Sequence, residues 1–257
     1  MLKLVFQFFE FLIKNRSHLK KLQAVSIDES FTIARKENGP LFVEKSVPKA
    51  SVSSLEADID EFWRTVPFHT LFLIYDLPIQ NSMLGGTCTD RVILFYQRAL
   101  EKYGPSLEIR LHRASIKDRE THTVLLVQLD QKTYLIDVGS NWPVMRLIPC
   151  FQGIYFESFG ISFKSSVDQE SLVIHMRKSS EDEFQPFLKA GLTYQSETYI
   201  SEQVANRFSA ENKLPFANSL RYSFVSGDSF YVIKHDAIID KGPSNVTSYC
   251  QSMKGKA

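Results

Sequence analysis

The sequence predicts an α+β fold: an N-terminal helical region, a central antiparallel β-barrel or sheet, and a reduced C-terminal α/β segment. Three observations predict it. Apolar residues recur near helical spacing from Thr87 to Tyr103 (Val92, Ile93, Phe95, Tyr96, Leu100) and stop at Gly104-Pro105. A succession of short apolar or alternating runs joined by short turns then fills residues 105–200. Beyond them, Leu220 to Val225 and Ser229 to Lys234 flank Ser226-Gly227-Asp228, a hairpin signature, and little sequence follows. The expected units are therefore 1–104, 105–200 and 201–257.

The first unit opens on its most apolar stretch, Met1 to Lys14, where Lys3, Gln7, Glu10 and Lys14 form one polar stripe of a helix apolar on its other sides. Gln7 and Glu10 interrupt the run that a signal peptide would need, and a membrane span would need ~20 apolar residues. Burial in the body of the protein is one reading of this helix. A membrane-surface or oligomer contact is the other. Residues 15–54 are polar and irregular, with a turn at Asn38-Gly39-Pro40. Ser54 is then placed to cap a helix from Leu55 to about Arg64, which Val66-Pro67-Phe68 ends.

The helix after Gly85-Gly86 starts at Thr87 and carries Cys88 in its first turn. Strand-like runs follow at Leu107 to Leu111, Val124 to Leu129, Thr133 to Val138, Ile154 to Phe163, Leu172 to Met176 and Leu192 to Ile200. Ser201 to Phe208 reads as a short helix, and the tail from Lys241 reads as frayed.

Composition narrows the partners. Of 257 residues, 44% are hydrophobic and 23% charged, as in ordinary soluble domains. A net charge of +1 with the signs interspersed gives no long-range attraction to nucleic acid or anionic lipid. The three cysteines, Cys88, Cys150 and Cys250, are too far apart for a zinc ribbon or a disulfide framework, so a reducing, cytoplasmic setting is expected. Cys150 reads as a small apolar filler and Cys250 as an exposed bystander. No metal site is expected, because His18, His69, His112, His175 and His235 lack ligand spacing; Asp236, adjacent to His235, points elsewhere on a strand.

Cys88 is the nucleophile candidate. A thiol reacts as its thiolate, and a helix N-terminus or an imidazolium favours that form. His122 opens one apolar run and Asp137 closes the next, after the turn Leu129-Asp130-Gln131-Lys132. Paired as an antiparallel hairpin, the start of the first strand lies beside the end of the second. Asp137 would then hold the His122 imidazole while its other nitrogen meets the sulfur. A nucleophile's helix followed by a sheet carrying the base is also the order of a papain-like, cysteine-proteinase-like core.

Val66-Pro67-Phe68, Gly85-Gly86-Thr87-Cys88-Thr89-Asp90, His122 with Val124-Leu125-Leu126-Val127, and Tyr134-Leu135-Ile136-Asp137-Val138-Gly139 together resemble the arylamine N-acetyltransferases. The fifteen-residue step from His122 to Asp137 fits that family, and the resemblance extends over roughly residues 53–235. It implies a Cys88-His122-Asp137 triad, acetyl-coenzyme A as acyl donor, an arylamine or hydrazine as acceptor, and substrate contacts at Gly86, Thr87 and Phe68, the last of which reads equally as a plain core phenylalanine. It also implies a C-terminal lid over coenzyme A, here reduced. Leu84 stands where the family has Arg, Asp90 where it has Glu, Val92 where it usually has Asn, and Ser140-Asn141 where Phe-Gly is usual. Asp90 either orients the loops around the nucleophile or simply complements the helix dipole.

Three function classes stay open on the sequence. One is an acetyltransferase working through an acyl-Cys88 intermediate; another is a cysteine amidase, deamidase or transglutaminase-like hydrolase; the third is a binding scaffold without catalysis.

Overall fold

A computed structural model describes residues 47–71, 85–178, 181–205, 219–235 and 249–254. The expectations for Met1 to Lys14, the turn at Asn38 and Leu84 lie outside the described residues.

The first described helix, α1 (Val52–Thr65), starts a turn earlier than the serine pattern suggested. Ser51, not Ser54, is the N-cap: its Oγ accepts from the Ser54 N–H at 3.1 Å, and Ser54 Oγ accepts in return from the Ser51 N–H at 2.9 Å. This reciprocal pair satisfies two donors that have no partner inside the helix. Leu55, Ile59, Phe62 and Trp63 recur at helical spacing and are buried. They meet helix α2 (Cys88–Tyr103), whose buried face includes Val92, Phe95, Ala99 and Tyr103. Phe62 and Phe95 pack edge to face at 5.3 Å, and Asp58 of α1 accepts from Lys102 and Tyr103 of α2.

Eight strands form one antiparallel sheet: β2 (Ile109–Ile116), β3 (Arg119–Leu129), β4 (Lys132–Ile136), β5 (Ile148–Pro149), β6 (Tyr155–Ser158), β7 (Ile161–Val167), β8 (Ser171–Lys178) and β9 (Gln185–Gly191). Their spatial order is β5-β4-β3-β2-β9-β8-β7-β6, and with the helices they make an α+β architecture. Tight turns set the registers. Lys117 and Asp118 (φ 51° and 60°), Asp130 and Gln131 (46° and 65°), and Phe159 and Gly160 (52° and 74°) each form a two-residue loop with both φ values positive. That geometry matches the right-handed twist of the flanking strands. The run expected as one strand from Ile154 to Phe163 is therefore two, because the chain reverses at Phe159-Gly160.

A second sheet joins β1 (Phe68–His69), β10 (Leu220–Ser226), β11 (Ser229–His235) and β12 (Tyr249–Lys254) in the order β1-β10-β11-β12. The hairpin of β10 and β11 turns at Gly227-Asp228 as expected. The tail is not frayed at Tyr249–Lys254, where β11 offers an edge and β12 takes it in antiparallel register. Phe230 of β11 is fully buried and lies 6.2 Å from Trp63 and 6.1 Å from Trp142, so the second sheet shares the core of the first.

One region departs from expectation. The strand expected from Leu192 to Ile200 is absent; β9 ends at Gly191, and helix α3 (Glu197–Ala205) begins before the expected start at Ser201. Ser196 starts α3, its Oγ accepting from the Tyr199 N–H at 3.2 Å and its carbonyl from the Ile200 N–H at 3.1 Å. Among the described residues no helix is long and apolar enough to cross a membrane.

Candidate active site

Cys88 is the first residue of α2 because the chain before it makes a turn only glycine tolerates. Gly85 has φ 84°, and a Cβ there would fall 2.0 Å from the Pro67 carbonyl oxygen. Gly86 lies against β1: its N–H donates to Pro67 O at 3.4 Å and its carbonyl accepts from the His69 N–H at 2.9 Å. The loop before the nucleophile helix is thus pinned to the end of the segment leaving α1. Thr87 is the N-cap, and Asp90 turns back to accept from the Thr87 N–H at 2.9 Å and the Thr87 hydroxyl at 2.7 Å. Of the two sequence readings of Asp90, these contacts give it a local task, fixing the turn that presents Cys88.

His122 and Asp137 come together through register. Strands β3 and β4 pair Leu125 with Ile136 and Leu129 with Lys132, around the Asp130-Gln131 turn. One position beyond that ladder, Asp137 faces Val124; His122, two residues further along β3, shares that face and is its diagonal neighbour. The result is a contact of 2.8 Å between His122 Nε2 and Asp137 Oδ1, both side chains buried. Asp137 Oδ1 also accepts from the Ser140 N–H at 3.0 Å, while Oδ2 has no hydrogen-bond partner.

The helix meets the sheet at Gly139. A Cβ there would lie 2.9 Å from Cys88 O, 2.8 Å from Val92 Cγ2 and 3.1 Å from Thr123 O, so only hydrogen allows this approach. Thr89 and Thr123 add a bond of 3.0 Å between hydroxyl oxygens, and the buried Arg113 donates to Thr123 Oγ1 at 2.7 Å and Glu120 O at 2.6 Å. Cys88 Sγ is 3.9 Å from both Thr89 Oγ1 and Thr121 O.

The electrostatics follow from this packing. Burial alone raises the Cys88 thiol, but the hydrogen bond and charge of His122, helped by Thr89 and opposed by Asp90, bring it below its ordinary value. Burial depresses His122, yet the charge and hydrogen bond of Asp137, followed by those of Cys88, raise it to about 10. The two directions agree, and both favour thiolate and imidazolium over the neutral pair. Cys150 behaves otherwise: burial pushes it up to about 12, as suits a filler. No group of histidine, cysteine, aspartate or glutamate among the described residues is arranged to hold a metal ion.

Of the sequence-predicted residues, Cys88, His122 and Asp137 converge with Gly86 and Thr87 beside them. Phe68 is buried and bridges Gly86 through its backbone. Sequence reasoning missed Arg91, Arg113, Thr123 and Ser140. The signal for Arg91 was available: a cation one helical turn from Cys88, among apolar residues.

No protein-family model matches the chain, and no curated protein matches it. Solved structures do. The arylamine N-acetyltransferase from Salmonella typhimurium superposes with a TM-score of 0.61 at 16% identity, over 76% of this chain and 74% of that one. An arylamine N-acetyltransferase from Bacillus cereus, described by a Cys-His-Glu catalytic triad, matches at 0.58 and 14% identity over 80% and 87%. The Mycobacterium marinum arylamine N-acetyltransferase, solved in complex with CoA, matches at 0.57 and 17% identity over 72% and 77%. The protein therefore has the fold of the arylamine N-acetyltransferases.

Proposed function

We propose that the protein is an acyltransferase that moves an acetyl group from acetyl-coenzyme A to an arylamine or hydrazine through a thioester on Cys88. The observation that carries this reading is the buried 2.8 Å contact of His122 Nε2 with Asp137 Oδ1, beside a sulfur at the first position of a helix. The coenzyme A complex of a protein with the same fold supports the choice of donor.

In the first half-reaction the Cys88 thiolate attacks the thioester carbonyl carbon. A new carbon–sulfur bond forms, the bond to the coenzyme sulfur breaks, and His122 gives its proton to the departing thiolate. Negative charge on the carbonyl oxygen is met by the first-turn N–H groups of α2, which have no intrahelical acceptor, and by the positive end of that helix. In the second half-reaction the amine attacks the acetyl carbon, His122 takes the amine proton, and Cys88 leaves as thiolate. Asp137 keeps the imidazole oriented and supports its charge throughout. The acceptor must be neutral near pH 7, since a protonated amine has no lone pair. Arylamines and hydrazines meet that requirement; aliphatic amines are mostly protonated there.

Steady-state transfer from acetyl-coenzyme A to aniline or a hydrazide tests the reading. Parallel lines in double-reciprocal plots, with activity lost in Cys88→Ala, are expected. Intersecting lines, or hydrolysis of an anilide without coenzyme A at a comparable rate, would contradict it; the second outcome favours a hydrolase.

A further inference from the structure

The helix that presents Cys88 buries a second charged residue one turn later. Arg91 is fully buried, its guanidinium 4.0 Å from the Trp63 ring centroid and 5.4 Å from that of Phe62. Stacking on rings is the most a planar cation can gain from apolar walls, and it leaves N–H groups unsatisfied. Arg91 Nη1 donates to Ser140 O at 3.0 Å, while Nε and Nη2 have no hydrogen-bond partner. An arginine so placed, with a single hydrogen bond, demands a compensating charge nearby.

That compensation is the triad. Ser140, which takes the Arg91 hydrogen bond on its carbonyl, gives its own N–H to Asp137 Oδ1, and the same oxygen meets His122 Nε2. Burial lowers Arg91 to about 9, and the charges of Asp137 and then Cys88 are what oppose the fall. The charged groups facing this cluster are Asp90 and Arg91 from the helix of Cys88, and His122 and Asp137 from the sheet, with Arg113 tied in through Thr123. Thiolate, imidazolium and carboxylate sum to one negative charge, which the Arg91 guanidinium offsets, while Arg113 and Asp90 offset each other around them.

We propose that Arg91 is a positioning residue for the triad, supplying the fourth charge of a buried neutral cluster and anchoring the Asp137–Ser140 turn that orients His122. This rests on the reading that Cys88, His122 and Asp137 act as a unit. Arg91 touches no reacting atom; it acts through Asp137 and Ser140.

The test is the pH profile of Cys88 alkylation by iodoacetamide in the full chain, located by peptide mapping, for wild type, Arg91→Met and Arg91→Lys. Removing the cation disfavours the thiolate, so the acid-limb midpoint of Arg91→Met is expected to rise by about one pH unit or more. Arg91→Lys, which keeps the charge but not the stacking, is expected to recover at least half of that shift. A purely packing role predicts a lower melting temperature with the midpoint unmoved, and that result overturns the proposal. If Arg91→Met does not fold, Arg91→Gln replaces it, neutral but able to donate to Ser140 O, with the same two outcomes. A wild-type midpoint at an unperturbed thiol's ~8.5 would instead defeat the functional reading itself, and the inference with it.

Discussion

His122 Nε2 and Asp137 Oδ1 stand 2.8 Å apart although fifteen positions separate the two residues. A two-residue turn at Asp130-Gln131 folds β3 onto β4 and makes them diagonal neighbours. Replacing Asp137 with Asn keeps the shape and removes the charge that raises His122. Acetyl transfer is expected to fall by on the order of 10⁴-fold, by analogy with the same substitution of the orienting carboxylate in a Ser-His-Asp triad. Single-turnover acetylation by acetyl-coenzyme A at pH 7 measures it; a loss under tenfold would show that Asp137 is not the residue orienting His122.

The paired shifts of Cys88 and His122 predict an unusual stability profile. His122, raised to about 10, contributes stability that is complete below an unfolded imidazole's ~6.5 and is lost as pH rises through about 10; Cys88, lowered from 9.0, contributes stability that is complete above 9.0 and is lost as pH falls through its lowered value. Where the two windows overlap their slopes oppose each other, so the pair flattens the profile there. Above the thiol's ordinary value of 9.0 the unfolded chain loses its proton while His122, raised to about 10, keeps its own, and stability falls as pH rises. Cys88→Ser removes the thiolate side, so its stability should decline from pH ~6.5 upward, where wild type is flat relative to it. Urea midpoints between pH 6 and 10 measure both; matching slopes for the two proteins would contradict the ion pair.

Asp90 separates stability from reactivity. It caps the turn through Thr87, and its charge works against the Cys88 thiolate. Asp90→Asn should cost about 1 kcal/mol of stability while moving the acid limb of Cys88 alkylation to lower pH. A shift to higher pH would mean that Asp90 supports the thiolate instead.

Gly85 should tolerate no side chain. Its positive φ and a Cβ 2.0 Å from Pro67 O predict that Gly85→Ala costs about 2 to 4 kcal/mol. Gly227, with φ 58° and open space around it, isolates the conformational part, so Gly227→Ala should cost about 1 kcal/mol. Denaturant midpoints at unchanged slope compare them, and equal costs would refute the tight contact at Pro67.

Much of the fold was legible because its signals are local. The helix from Cys88, the β10–β11 turn and the His122–Asp137 hairpin each announce themselves within about twenty residues of sequence. The misses have physical causes too. Strand β9 contains Pro186, which argues against a strand until one sees it opposite His175 beside a register shift between Ile174 and His175. Tyr194, Tyr199 and Ile200 have β propensity, yet Ser196 caps a helix there. Strand β12 is polar and forms because β11 presents an open edge. Arg91 gives a local signal, a cation among apolar residues one turn from Cys88, but the Trp63 and Phe62 rings that bury it belong to a different helix.

Intact mass followed by peptide mapping, after brief exposure to acetyl-coenzyme A without acceptor, tests the central claim most directly. One acetyl group on Cys88, absent in Cys88→Ala and discharged by added aniline, is the predicted result. No adduct, or an acetyl group on any other residue that survives the amine, would contradict it.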